Sequence, residues 1–140
     1  MVFNDKENQE LLKLFEGLRV ADVRDGLDYL LLHHNYSIPY TIKPLFRTRI
    51  VGIAKTVRYL PYKGEIPRMS PKEYAEWMGY YYNNICTYPW LDTIKKGDFI
   101  VIDQSCVDAG LMGSNNSLLG FTKGVVGYLT NGGPRDSDEL

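Results

Sequence analysis

The sequence predicts a single α/β domain in which some strands pair in parallel. Its 140 residues, 44% of them hydrophobic, suffice for one core and are too few for two ordinary domains. Segments with apolar residues at helical spacing alternate along the chain with short, β-branched, apolar runs. Because this alternation is typical of strands joined by helical crossovers, we expect a sheet covered by helices.

Two helices are predicted near the N-terminus. Asn4 or Asn8 can cap the first, residues 11–15 supply its apolar side, and Gly17 fits its end. The second is expected over residues 20–32, where valines and leucines recur at helical intervals and aspartates occupy the first turns. Both helices are amphipathic, so we expect each to pack on something larger.

Three strands are predicted after a loop that contains prolines. The first is the β-branched run 50–57, which ends before Pro61. The second is the short apolar run 99–103, and the third covers residues 125–129. These runs are too short to be confused with long helices, and turn residues bound each of them.

Two further helices are predicted between the strands. Ser70 followed by Pro71 and Glu73 is typical of a capped helix start, and this helix should continue to Tyr81. It is rich in aromatic residues. The other helix is expected over residues 114–121, between the second and third strands. A helix in that position would form the crossover between two parallel strands.

The charge balance argues against a nucleic-acid-binding protein. Sixteen basic residues stand against 17 acidic ones, so no broad basic face is available for a phosphate backbone. Stacking of bases on the aromatic helix, residues 74–82, is an alternative. No lysine or arginine lies between residues 74 and 94, however, and packing in the core or at a subunit interface explains the rings better.

Membrane insertion and secretion are also not expected. No apolar stretch approaches the roughly 20 residues needed to cross a bilayer. Residues 1–10 are polar and include acids, unlike a secretory or transit peptide. Cys86 and Cys106 lack the spacing of a zinc site. The predicted location is therefore the cytoplasm.

A first candidate binding motif lies at the start of the crossover helix. Gly113 and the polar residues Ser114, Asn115 and Asn116 precede an apolar helical run. Backbone N–H groups at a helix start have no partner within the helix, and the helix dipole adds positive potential. The motif therefore suits a carboxylate or phosphate, although an ordinary capped helix has the same features.

A second candidate motif, residues 130–136, follows the third strand. Two glycines and a proline predict a tight turn at the carboxyl end of the strand, where open α/β sheets bind ligands. Arg135 can hold a carboxylate through two hydrogen bonds, and Asp136 offers a hard oxygen ligand to Mg²⁺ or Mn²⁺. Because Asp138 and Glu139 follow directly, a solvated acidic tail is the alternative interpretation.

These motifs together resemble the RraA-like family, which includes the regulator of ribonuclease activity A and 4-hydroxy-4-methyl-2-oxoglutarate aldolases. The similar segments are residues 20–27, 51–57, 96–103, 124–127 and 132–136. The resemblance implies that residues 1–140 form a single layered β/β/α, swivelling-domain-like sandwich with N-terminal helices. It also implies that this domain lacks the family's C-terminal part and that the protein is a homotrimer.

The resemblance also implies a chemistry. Family enzymes are divalent-metal lyases that cleave a carbon–carbon bond of a small 2-oxo acid to give pyruvate, as aldolases or as oxaloacetate decarboxylases. The metal polarises the 2-oxo group. Carried onto this sequence, Asp136 would bind Mg²⁺ or Mn²⁺, and Arg135 would bind substrate oxygen. The substrate carboxylate would lie against the backbone of Gly113, Ser114, Asn115 and Asn116.

Ser114 marks a departure that leaves the question of enzymatic activity open. The family's aldolases have an acidic residue where this sequence has Ser114, which would be the second catalytic position beside Arg135. A serine hydroxyl without a base is a poor proton acceptor near neutral pH. The alternative function is therefore that of a non-catalytic RraA-type protein that regulates a ribonuclease by docking on it.

Overall fold

The computed structural model describes residues 4–140, which fold around one parallel sheet. Within this range the helices are α1 (Asp5–Leu14), α2 (Val20–Tyr29), α3 (Pro71–Asn84) and α4 (Ser114–Lys123), and a short 3-10 helix covers Pro89–Thr93. The strands are β1 (Ile53–Arg58), β2 (Asp98–Asp103) and β3 (Gly127–Thr130). The predicted α/β class with parallel pairing is confirmed.

The starts of two helices follow from their local sequence. The Asn4 side chain accepts a hydrogen bond from the Glu7 N–H, while the Glu7 carboxylate accepts one from the Asn4 N–H. Ser70 and Glu73 form the same reciprocal pair ahead of α3, with Pro71 in the first turn. Each pair satisfies two backbone donors that the helix itself leaves free, and both predicted helix starts are confirmed.

The strand order is β1-β2-β3, with β2 in the centre and both pairs parallel. Ile100 pairs with Lys55 on one side and with Tyr128 on the other, so these three side chains share a face of the sheet. That face carries the core. The buried hydrophobic side chains of this core are Trp90, Ile100, Ile102, Met112 and Val125.

The opposite face of the sheet also carries apolar side chains. Phe99, Val101 and Leu129 alternate with the core residues and are only half-buried. Together with Ile42 and Thr56, Val101 and Leu129 line part of a groove of about 520 Å³. The central strand β2 is therefore apolar on both faces, as is usual in parallel sheets.

Several element boundaries differ from the predicted ones by a few residues, and for two of them the structure shows the cause. The helix predicted over residues 20–32 ends at Tyr29, because Leu31 has a φ of 60°, which a right-handed helix does not allow. The strand predicted over residues 50–57 begins at Ile53, where its partner β2 begins, since Ile53 pairs with Asp98. In both cases the apolar residues continue beyond the helix or strand. The backbone conformation at Leu31 ends α2, and pairing with β2 determines where β1 begins.

Candidate functional site

The candidate site forms where β2 and β3 end at the same edge of the sheet. β2 ends at Asp103, and a loop leads from there to the start of α4 at Ser114. β3 ends at Thr130, and residues 131–136 return across this loop. Because the strands are parallel, both connections emerge at the carboxyl edge, where ligands bind in sheets of this type.

The turn after β3 is tied to the end of β2 by side-chain hydrogen bonds. The Gln104 N–H donates to Oδ1 of Asn131 at 2.8 Å, and Nδ2 of Asn131 donates to Oδ1 of Asp103 at 2.9 Å. Gln104 also donates through Nε2 to Oγ1 of Thr130 at 2.8 Å. These contacts fix the start of the turn that carries Arg135 and Asp136. Asn131 lies within the predicted motif 130–136, but no pattern in the sequence indicated its contacts or Gln104.

Arg135 lies against the loop that precedes α4. Its backbone N–H donates to the carbonyl oxygen of Met112 at 2.6 Å. Its aliphatic carbons lie so close to Gly110 that any side chain at position 110 would overlap them. The residue is exposed, and it forms no ion pair within residues 4–140. Its guanidinium group is therefore available to an anion.

Asp136 lies at the start of α4. Its Oδ2 accepts a hydrogen bond from the Ser114 N–H at 3.4 Å, and a Cβ at Gly113 would come within 2.6 Å of the same oxygen. The glycine at position 113 is what allows this approach. Asp136 has a φ of 54°, a conformation that aspartate tolerates better than most residues. The carboxylate is exposed and next to the positive end of the helix dipole.

The other predicted binding residues belong to the same helix start. Gly113 is the N-cap residue of α4, and no side chain of its own caps the helix. Ser114 and Asn116 are half-buried, whereas Asn115 is exposed. The structure thus brings Gly113, Ser114 and Asp136 together, and the aliphatic carbons of Arg135 lie beside Gly110 and Gly113. The first-turn amides have no partner within the helix and suit a negatively charged group.

A divalent metal at this site would rely on one carboxylate. Within residues 4–140 there is no cluster of three or more His, Cys, Asp or Glu side chains that could hold a metal ion. Mg²⁺ commonly binds through one or two carboxylates and keeps several waters and substrate oxygens as its remaining ligands. Asp136 is exposed and next to Arg135, so it fits the role of a single protein ligand to such a metal, with water and substrate oxygens as the other ligands.

A second charged pair borders the open face of the sheet. Nε of Arg58 lies 2.9 Å from Oδ2 of Asp103. Hydrogen bonds from the Asn131 side chain and the Ser105 N–H lower the pKa of Asp103 below its ordinary range, and the nearby charge of Arg58 lowers it further. The carboxylate therefore stays charged at the mouth of the 520 Å³ groove. Sequence patterns gave no signal for this pair, because its partners end different strands.

The aromatic helix α3 does not pack into the core. None of its residues is buried, and Trp77 instead contacts Tyr74, Tyr80 and Tyr81, with ring centroids 5.7–6.2 Å apart. Of the two interpretations of these rings, core packing is therefore wrong, because the rings pack on one another along the helix. The subunit interface stays a prediction. In the part of the chain that the structure describes, no helix is long and apolar enough to cross a membrane.

The fold is that of a known class of proteins. The sequence matches the RraA-like family, described as Aldolase/RraA, over residues 20–140. Since the match covers most of the sequence, the protein belongs to the RraA-like family. None of the curated proteins matches it.

Three solved structures are similar to the chain. An uncharacterized protein from Pseudomonas syringae pv. tomato str. DC3000 is 25% identical, with a TM-score of 0.61 over 94% of this chain and 51% of that one. Streptomyces coelicolor RraAS2, described as an unusual member of the RNase ES inhibitor RraA protein family, is 19% identical, with a TM-score of 0.65 over 93% and 57%. A structure described as novel cellulases from microbes associated with the gut ecosystem is 28% identical, with a TM-score of 0.59 over 99% and 55%. The chain thus spans about half the length of these structures.

Proposed function

We propose that the protein is a lyase that depends on Mg²⁺ or Mn²⁺ and cleaves a carbon–carbon bond of a small 2-oxo acid to release pyruvate. The reaction is of the 4-hydroxy-4-methyl-2-oxoglutarate aldolase or oxaloacetate decarboxylase type. The observation that carries this proposal is the position of the Asp136 carboxylate, 3.4 Å from the Ser114 amide nitrogen, with Arg135 next to it in the chain.

Each group at the site has a distinct role in this proposal. Asp136 supplies the protein ligand to the metal, which when bound polarises the 2-oxo group of the substrate. Arg135 pairs with a substrate carboxylate, for which its planar guanidinium is well shaped. The amides at positions 113–116 support the same negative charge through the helix dipole. Together these groups orient a small dianion at the carboxyl edge of the sheet.

The proposed site contains few groups that could transfer a proton. When oxaloacetate is decarboxylated, the C3–C4 bond breaks, CO₂ leaves, and C3 takes up one proton. We assign the delivery of that proton to water and the Ser114 hydroxyl, since Ser114 is the first residue of α4 and lies beside Asp136. A hydroxyl is a weak acid, so slow turnover is expected. A homotrimer, in which a neighbouring subunit borders this exposed site, belongs to the same proposal.

The test is release of pyruvate from oxaloacetate in the presence of Mg²⁺ or Mn²⁺, corrected for the metal-catalysed reaction without protein. Activity should disappear with EDTA and in the Asp136→Ala variant, whereas Asp138→Ala, a matched exposed carboxylate two residues away, should retain it. Arg135→Lys keeps the positive charge but cannot form the bidentate hydrogen bond to a carboxylate, so KM should rise more than kcat falls. Activity that survived Asp136→Ala would remove the proposed metal role.

A second candidate function is regulation of a ribonuclease by docking without catalysis. Ser114 in place of an acid favours it, and so does the exposure of both Arg135 and Asp136. Streptomyces coelicolor RraAS2, of similar fold, carries the description of an RNase inhibitor family member. Inhibition of an RNase E-type endoribonuclease by the protein, undiminished in Asp136→Ala, would support this function over the lyase.

A further inference from the structure

Gln104 is buried at the point where β2 gives way to the loop before α4. Only 3% of its surface is exposed, which is unusual for a glutamine at the end of a strand. Its neighbour Ser105 has a φ of 52° and turns the backbone away from the sheet. The Gln104 side chain therefore lies beneath the turn that follows β3, and not in solvent.

Two hydrogen bonds join Gln104 to that turn. Its backbone N–H donates to Oδ1 of Asn131, and its Nε2 donates to Oγ1 of Thr130, each at 2.8 Å. The Thr130 hydroxyl oxygen in turn accepts a hydrogen bond from the Gly132 N–H at 3.1 Å. Gln104, the residue after β2, thus bonds directly to Thr130 and Asn131, and through the Thr130 hydroxyl it also holds Gly132.

Gln104 also sets the backbone position of the turn by contact. A Cβ at Gly132 would overlap the whole terminal amide of Gln104, so the two residues fit only because position 132 lacks a side chain. Oε1 of Gln104 is fully buried and has no hydrogen-bond partner among the described residues. A buried acceptor without a partner costs free energy, which natural cores usually avoid unless the position serves another purpose.

We infer that Gln104 is a positioning residue that holds the turn after β3 so that Arg135 and Asp136 face the start of α4. Only two residues separate Gly132 from Arg135, and the Arg135 N–H bond to Met112 is the next fixed point along the turn. Movement at residues 130–132 would therefore carry Arg135 and Asp136 away from Gly113 and Ser114. The catalytic part of this inference rests on the proposed lyase function, whereas the structural part does not.

The variants separate this role from a general contribution to stability. Gln104→Met keeps the length of the side chain and removes the Nε2 donor. Gly132→Ala forces the Gln104 amide to move. Gln9→Met is the matched control, since Gln9 also donates through Nε2, to the Lys96 carbonyl oxygen at the opposite edge of the sheet. Gln104→Ala makes room for a methyl group at position 132, so the effect of the double variant Gln104→Ala/Gly132→Ala should be smaller than the sum of the effects of Gln104→Ala and Gly132→Ala measured singly.

Two measurements test the inference. Amide hydrogen exchange followed by NMR should be at least about tenfold faster at Arg135 in Gln104→Met and Gly132→Ala, and unchanged at the Ile100 amide in the centre of β2. In the oxaloacetate assay kcat should fall by about tenfold or more with a smaller change in KM, because reacting groups tolerate little misplacement. Gln9→Met should match the unmodified protein in both.

The outcomes are distinguishable. Faster exchange at Arg135 and Ile100 alike would show general destabilisation and overturn the inference, as would unchanged exchange at Arg135. Unchanged kcat in an active protein would overturn the catalytic part. If the unmodified protein releases no pyruvate, the proposed lyase function fails, while exchange at Arg135 still decides whether Gln104 holds the turn.

Discussion

The carboxylate of Asp136 and the backbone N–H of Ser114 meet at the start of α4, although the two residues lie 22 positions apart in the sequence. The N-cap residue of α4, Gly113, has no side chain to cap the helix, and the first turn contains no acidic residue. Helix starts are usually stabilised by a polar or acidic side chain at the N-cap or in the first turn. Here Asp136, in the turn after β3, supplies the negative charge instead. The same carboxylate is the proposed metal ligand, so one side chain both caps α4 and would bind the metal.

This relationship predicts the effect of restoring an acid at position 114. In Ser114→Asp a second carboxylate would lie close to Asp136, and we expect affinity for Mn²⁺ to rise by about tenfold or more. Calorimetric titration with Mn²⁺ measures it, and the oxaloacetate assay shows whether turnover increases. Asn115→Asp places the same charge on the next, exposed position and serves as the control. Equal affinities in the two variants would contradict a specific metal position at Asp136.

The ion pair at the end of β2 predicts a pH effect. The Asn131 amide is the largest cause of the lowered pKa of Asp103, so Asn131→Ala should bring that pKa back towards its ordinary value of 3.8. A carboxyl whose pKa is lowered by folding stabilises the folded state above pH 3.8, and this stabilisation is lost as the pH falls through the folded-state pKa. The difference in stability between variant and unmodified protein should therefore shrink on acidification below that pH.

A titration of side-chain carboxyl carbons by NMR measures this pKa directly. Asn115→Ala removes an exposed asparagine side chain that is not among the causes of the lowered pKa of Asp103, so it should leave the titration unchanged. A pKa of Asp103 that stayed low in Asn131→Ala would assign the effect to Ser105 and Arg58 instead.

The connection between α4 and β3 predicts a cost for one glycine substitution. Gly124 has a φ of 108°, and a Cβ there would come within 2.8 Å of the Lys96 Cα. We expect Gly124→Ala to lower the free energy of unfolding by about 1–2 kcal/mol from the backbone conformation alone, and further from the contact. Gly79→Ala in α3, which has open space at its Cβ position, should instead be neutral or stabilising by roughly 0.5–1 kcal/mol. Urea unfolding compares them.

The core predicts a role for one tyrosine hydroxyl. The buried Trp90 donates from Nε1 to the Tyr59 hydroxyl oxygen at 2.8 Å, and Tyr59 donates to the Thr87 carbonyl oxygen. Burial raises the pKa of Tyr59, which keeps the hydroxyl protonated as a donor. Tyr59→Phe leaves the indole N–H without an acceptor, so we expect a loss of about 1–3 kcal/mol in urea unfolding. The exposed Tyr62→Phe should change stability by less than about 0.5 kcal/mol.

Local patterns in the sequence predicted the class of fold, the cap at Ser70 and the approximate positions of three strands, and they left the first cap open between Asn4 and Asn8. They succeeded because hydrophobic spacing and capping act over a few residues. They failed where an element's limit depends on a distant partner: β1 begins only where β2 can pair with it. The 3-10 helix that buries Trp90 was also missed, since a single apolar ring carries no period.

The sequence by itself determined which chemical groups are present: an arginine and an aspartate after two glycines, and a serine at the first position of α4. Only the tertiary structure decided which of them meet. α4 returns the chain so that β3 lies beside β2, and this crossover places Asp136 against Ser114 and the β3 turn over Gln104. Such contacts arise from the parallel packing of strands far apart in the chain, and no pattern confined to neighbouring residues encodes them.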